Sequence, residues 1–114
     1  SGKTLRILDT GTHNHDAGAD FLAARAVIAD VEWVGNVEIH IRASDWKRHQ
    51  HHKDKAYNNV IVHVVYEYDE AVYREDGTLL ETLELDSLRK TYPSYLAISF
   101  VAMAISLTGG TLRI

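Results

Sequence analysis

Apolar and polar residues alternate through "VEWVGNVEIHI", residues 31–41. A period of two predicts a β-strand, with a bend or bulge at Gly35-Asn36. "TLRIL", residues 4–8, predicts another short strand, and "DTGTHNHDAGAD", residues 9–20, is a loop by composition. "FLAARAVIA", residues 21–29, fits a strand or one short helix, and Val27 and Ile28 beside an Ala29-Asp30 turn favour a strand at its end. Ser44 stands where an N-cap would, so a helix is expected from Asp45 to His52. "NVIVHVVYEY", residues 59–68, is almost wholly apolar and predicts a central strand covered on both faces. Residues 71–85 predict a hairpin about Asp76-Gly77, with Thr78 to Leu85 as the returning strand. Tyr92-Pro93 opens a helix that Gly109-Gly110 ends. "TLRI" occurs at 4–7 and again at 111–114, which predicts a second short edge strand. The sum is an α+β fold of mixed α/β type, a central mixed sheet of about five strands with helices packed on it.

Length places all of this in a single domain over residues 1–114. The net charge is −4 with histidine neutral, which argues against nucleic-acid binding through overall charge. A local basic groove stays open, because Arg42, Lys47, Arg48, Lys53 and Lys55 fall close together. The chain has no cysteine. Any metal must then be held by histidine, carboxylate or backbone oxygen, and a reducing cytoplasmic location fits. The apolar run 95–107 is shorter than the roughly 20 residues that span a bilayer. No membrane partner is expected, and the run reads as a core helix or a homo-oligomer interface.

Candidate chemistry gathers in "VEIHIRASDWKRHQHHKDK", residues 37–55, which holds four of the seven histidines. Glu38 and His40 are two apart and share one strand face, while Val37, Ile39 and Ile41 share the other, taken as the core face. If 20–29 and 31–41 pair as a hairpin, Asp20 comes opposite Glu38 and His40. Three candidate metal ligands then meet. The bland alternative is a charged strand surface and a turn-capping Asp20. His13, Asn14, His15 and Asp16 lie on a loop able to reach the same cleft. Asp45 and His49, four apart on the expected helix, are either a ligand-orienting pair or an ordinary surface pair. His49 and His52 fit one helix face and His51 does not, so these three read as a solvated cluster. Trp46 reads as core, with base stacking as its alternative, and His63 as a buried histidine with a satisfied hydrogen bond.

The acid at 20 followed by Glu38-x-His40, then a helix and a buried strand, resembles the PD-(D/E)xK nucleases. Ala19 stands where that motif has proline, and His40 where it has lysine. The resemblance implies a restriction-endonuclease-like core in which carboxylates bind magnesium or manganese, ahead of zinc, for phosphodiester hydrolysis. Asp20, Glu38 and His40 would then be the metal-binding and catalytic residues, and Asn14, Asp45, His49 and His51 would face the ligand.

A second pattern is longer. "HNHDAGADFLAARAVI", Trp33, "GNVEIHIRASDW", His49, His51, Asp54, Tyr57 and "NVIVHVVYEYD" resemble the bacterial domain-of-unknown-function family 2851. The likeness covers about residues 5–85, so residues 3–85 form the family-like sheet core and 86–114 an apolar helix and tail. Family members are longer, which implies a fragment or a truncated member. Three functions follow as expectations: a metal-dependent nuclease, a non-catalytic nucleic-acid- or protein-binding module on the same scaffold, and a histidine-rich zinc-binding protein using His49, His51 or His52.

Overall fold

The computed structural model describes residues 3–14, 17–84 and 111–113. Its strands are β1 (Thr4–Asp9), β2 (Thr12–His13), β3 (Phe21–Ile28), β4 (Val31–Arg42), β5 (Val60–Glu67), β6 (Thr82–Glu84) and β7 (Thr111–Arg113). They form one mixed sheet in the order β6-β5-β4-β3-β1-β7, with β2 on β3. The sheet curls into a half-barrel and carries few helices. Among the described residues these are α1 (Asp45–Arg48) and two 3-10 turns, His51–Lys53 and Lys55–Tyr57. The expected helix of residues 93–108 lies outside the described residues, as do His15, Asp16 and Leu85.

The β3–β4 hairpin forms where alternation and the turn place it. Ile28 pairs with Val31 across a two-residue loop, Ala29-Asp30. Both loop residues have positive φ, the conformation that suits the right-handed twist of a tight hairpin. Residues 21–28 are thus strand, not helix. β5 runs parallel to both β4 and β6 and is buried along nearly its whole length. The bulge at Gly35-Asn36 is real: the β4–β5 register slips between Asn36 and Val37. A side chain at Gly35 would meet the Asn59 carbonyl and the Ile61 side chain at 2.5 Å, so the strands approach there only because Gly35 has none. The repeated "TLR" segments at both ends pair with each other, Thr4 with Arg113 and Arg6 with Thr111, so the second edge strand is as expected.

Four readings change. First, the loop of residues 9–20 contains β2, which pairs with β3. Second, the helix expected from Asp45 to His52 ends at Arg48, because Gln50 adopts a left-handed backbone with φ 62°. Ser44 precedes the helix without capping it; its amide and hydroxyl both donate to Asp69. Third, the hairpin of residues 71–85 closes only at Tyr73 and Leu79, and the returning chain then joins β5 in parallel as β6. Fourth, the two faces of β4 are not polar-out and apolar-in. Glu38 is 4% exposed and Ile41 60%. β4 is an interior strand with both faces covered near its middle, and Ile41 lies beyond that cover.

Two apolar clusters result. One holds Leu5, Ile7, Ala26, Ile28, Ile61, Val62, Tyr66 and Leu83. The other holds Ala43, Trp46, Val60, Val65, Val72 and Leu80. The second forms the floor on which the histidines rest.

Candidate metal centre

The hairpin register sets the first residues. Phe21 pairs with Val37, so Asp20 lies opposite Glu38, and an Asp20 carboxylate oxygen accepts the Ile39 N–H at 2.7 Å. The Asp20 carboxyl lies close enough to Glu38 to help hold the Glu38 proton. The parallel register then places His63 of β5 beside Glu38. His40 Nδ1 lies 2.7 Å from His63 Nε2. The sheet, with the bend that enters β3, therefore gathers Asp20, Glu38, His40 and His63.

The remaining groups come from the crossover between β4 and β5. The left-handed Gln50 turns the chain inward after α1, and His51 is only 8% exposed. Its ring stacks on Tyr57 at 3.7 Å between centroids and meets the edge of Trp46 at 5.2 Å. His51 Nε2 is 2.9 Å from Glu38 Oε2, which is 3.9 Å from His40 Nε2. His40 Nε2 is 3.2 Å from Nδ1 of the exposed His49. The ligand atoms of His40, His49 and His51 all lie within 4.8 Å of one another. Two nitrogens bound to one tetrahedral ion at about 2.1 Å sit roughly 3.4 Å apart. The His40–His49 spacing of 3.2 Å fits that geometry.

Asp20, Glu38 and His40 thus meet as the pairing argument implied. His49 and His51 join them, so the reading of 49, 51 and 52 as one solvated cluster fails for His51. Asn14 acts on the loop before β3. Its side chain donates to the Ala17 and Ala19 carbonyls and its amide to the Asp20 carbonyl, which pins the loop that delivers Asp20. His13 stacks on Phe21. The Asp45 carboxylate accepts from the Arg42 amide and the Arg48 guanidinium, so it closes the start of α1 and does not hydrogen-bond the His49 ring. Trp46 is core, as expected, and donates its Nε1–H to the Tyr73 carbonyl at 3.0 Å. His63 is buried, as expected, but its partner is a site histidine. The signal for that role is its position in a parallel strand two residues above the bulge, which no local pattern reveals.

The family model described as "Protein of unknown function (DUF2851)" matches residues 1–99. The chain belongs to this family. The match runs past the sheet core into the apolar segment, farther than the 5–85 likeness. No curated protein and no solved structure matches the chain. In this DUF2851 chain no helix among the described residues is long and apolar enough to cross a membrane.

Burial shapes the charge states of the site. It pushes the Glu38 carboxyl up from 4.5 to about 9, helped by the hydrogen bond and charge of Asp20. It pushes His40 down from 6.5 to about 4, aided by His49 and His51, and His63 down to about 3, aided by His40. His51 is lowered too, first by burial. In the unfolded chain these imidazoles take up protons as pH falls below 6.5, and in the fold they do not until about 4 or 3. Stability is therefore lost on the acid side. Glu38 acts oppositely: the fold holds its proton up to about 9 and the unfolded chain releases it near 4.5, so stability also falls as pH rises between them. From 4.5 to 6.5 the histidines outnumber the single carboxyl. Metal-free protein is thus expected to be most stable near pH 6.5, and each unmatched proton tilts the curve by about 1.4 kcal/mol per pH unit. Urea midpoints across the range in chelator check this, and Glu38→Gln should flatten the alkaline limb and steepen the acid limb between 4.5 and 6.5.

Proposed function

We propose that this DUF2851 protein is a divalent-metal-dependent hydrolase of phosphodiester bonds. His40, His49 and His51 hold the ion, and Glu38 is the general base. The carrying observation is the convergence of three imidazole nitrogens within 4.8 Å beside a buried carboxylate. A bound ion would polarise the phosphate and acidify a water. The ion's charge would favour the ionised form of Glu38 over the protonated form that burial imposes. Its Oε2, 2.9 Å from His51 Nε2 and 3.9 Å from His40 Nε2, would then be positioned to take that water's proton. Asp20 holds the β4 backbone at Ile39 and thereby fixes Glu38. Trp46 and Tyr57 wall off the His51 side from water.

The donor set bears on the ion. Three imidazoles suit zinc and other nitrogen-seeking ions, whereas magnesium prefers oxygen. The order of preference expected from the nuclease motif, magnesium or manganese ahead of zinc, is therefore reversed in this proposal. The substrate class rests on two supports. One is the Asp20, Glu38-x-His40 arrangement on a hairpin followed by a parallel strand, which parallels the PD-(D/E)xK order. The other is the exposed Lys47, Lys53 and Lys55 on the turns that also carry His49 and His51.

The test is cleavage of labelled DNA and RNA, single- and double-stranded, with zinc, manganese or magnesium. Turnover is expected with an imidazole-seeking ion. Glu38→Gln should lower it by about 10²- to 10⁴-fold, a general base's usual share, with ion affinity changed far less. Binding of nucleic acid without turnover under any ion would instead assign the non-catalytic module.

A further inference from the structure

His63 reaches neither solvent nor the other ligand atoms, yet it touches the central ligand. We propose that His63 is a positioning residue that dictates which His40 nitrogen meets the ion, and that ion binding reverses the hydrogen bond between the two rings. This rests on the metal site proposed above.

The two His40 nitrogens have different surroundings. Nδ1 is held by His63 Nε2 at 2.7 Å. Nε2 faces His49 Nδ1 at 3.2 Å and Glu38 Oε2 at 3.9 Å. Only Nε2 is placed to receive an ion. The second His63 nitrogen, Nδ1, is buried with no hydrogen-bond partner among the described residues.

These contacts permit two proton arrangements for neutral rings. In the first, His63 Nε2–H donates to His40 Nδ1, and His40 Nε2–H donates to His49 Nδ1. The group left bare is then the His63 Nδ1 lone pair. In the second, His40 Nδ1–H donates to His63 Nε2, and the bare group is a buried His63 Nδ1–H. An orphaned buried N–H is the rarer and costlier of the two defects, so the ion-free protein takes the first. An ion on His40 Nε2 forbids a proton there and forces the second. Protons balance: His40 loses one from Nε2 to solvent, the shared proton passes from His63 Nε2 to His40 Nδ1, and His63 gains one from solvent on Nδ1. Neither ring changes charge.

Long-range ¹H–¹⁵N spectra of histidine-labelled protein, with chelator and then with zinc alone, read this directly. Expected without zinc is a proton on Nε2 of both His40 and His63. Expected with zinc is a proton on Nδ1 of both, with His40 Nε2 at a metal-bound shift. Zinc bound through His40 Nδ1, or a His63 tautomer that is the same in both states, overturns the inference while leaving the metal site standing. No zinc-induced change at His40, His49 or His51 overturns the metal site and this inference with it. Calorimetry gives a second arm. His63→Leu should weaken zinc binding by about 10- to 100-fold, the usual effect of losing a group that orients a ligand. His63→Gln, whose amide oxygen can accept from His40 Nδ1–H, should recover most of that loss. Equal affinity in wild type and both variants overturns the proposal. If His63→Leu does not fold, the spectra of the wild-type protein and the Gln variant decide.

Discussion

Alanine at His49 and alanine at His51 are each expected to lower zinc affinity by at least about 100-fold, and only the second should destabilise the fold. The magnitude follows from a lower bound. Groups that merely orient a ligand are worth about 10- to 100-fold in affinity, and a ligand itself is worth more. The difference in stability follows from burial. His49 is exposed, and its ring meets its neighbours edge-on. Its removal takes little from the folded state. His51 is 8% exposed, stacks on Tyr57 and lies 2.9 Å from Glu38 Oε2. Its loss leaves a buried carboxyl without that partner, which costs about 1–3 kcal/mol. Calorimetric zinc titration and urea unfolding of both variants make the check. Full zinc affinity in His49→Ala would remove it from the site and reduce the centre to two imidazoles and a carboxylate.

Trp46→Ala is expected to cost about 3–5 kcal/mol of stability, as for other buried aromatic truncations. Trp46 is 1% exposed and sits in the cluster with Ala43, Val60, Val65, Val72 and Leu80. Its ring contacts His51 and His63 at 5.2 Å each and Tyr57 at 5.8 Å. Truncation therefore opens a cavity directly beneath the site and strips the Tyr73 carbonyl of its Nε1–H donor. A 114-residue domain has a total stability of about 5–15 kcal/mol, so this one change takes a large share of it. Trp33→Ala is the control. Trp33 is 49% exposed, and its loss should stay within roughly 0.5 kcal/mol. Denaturant midpoints of the two variants give the comparison. Similar losses for both would mean that the cluster under the site is not what holds this half of the fold.

Local rules made part of the site legible. The Asp20, Glu38 and His40 group follows from period-two alternation and a two-residue turn, both properties of neighbours in the chain. The buried β5 follows from its apolar run. The same rules failed on β4, because they assume one wet face. Glu38 points into the molecule because the β4–β5 crossover covers that face. They failed again after Arg48. Heptad-like counting along an unbroken helix sends His51 away from His49. A single left-handed residue, Gln50, ends the helix and turns His51 inward.

The sequence by itself determined β1, β4, β5 and a second short edge strand at 111–113, the Ala29-Asp30 turn and the hairpin that brings an acid to Glu38-x-His40. Each depends on side-chain period or turn chemistry within a few residues, or on a visible repeat. Only the tertiary structure decided that His40, His49 and His51 converge and that His63 stands behind His40. Those contacts depend on a parallel register slipped by one bulge and on the path of a crossover, and neither is encoded in local periodicity.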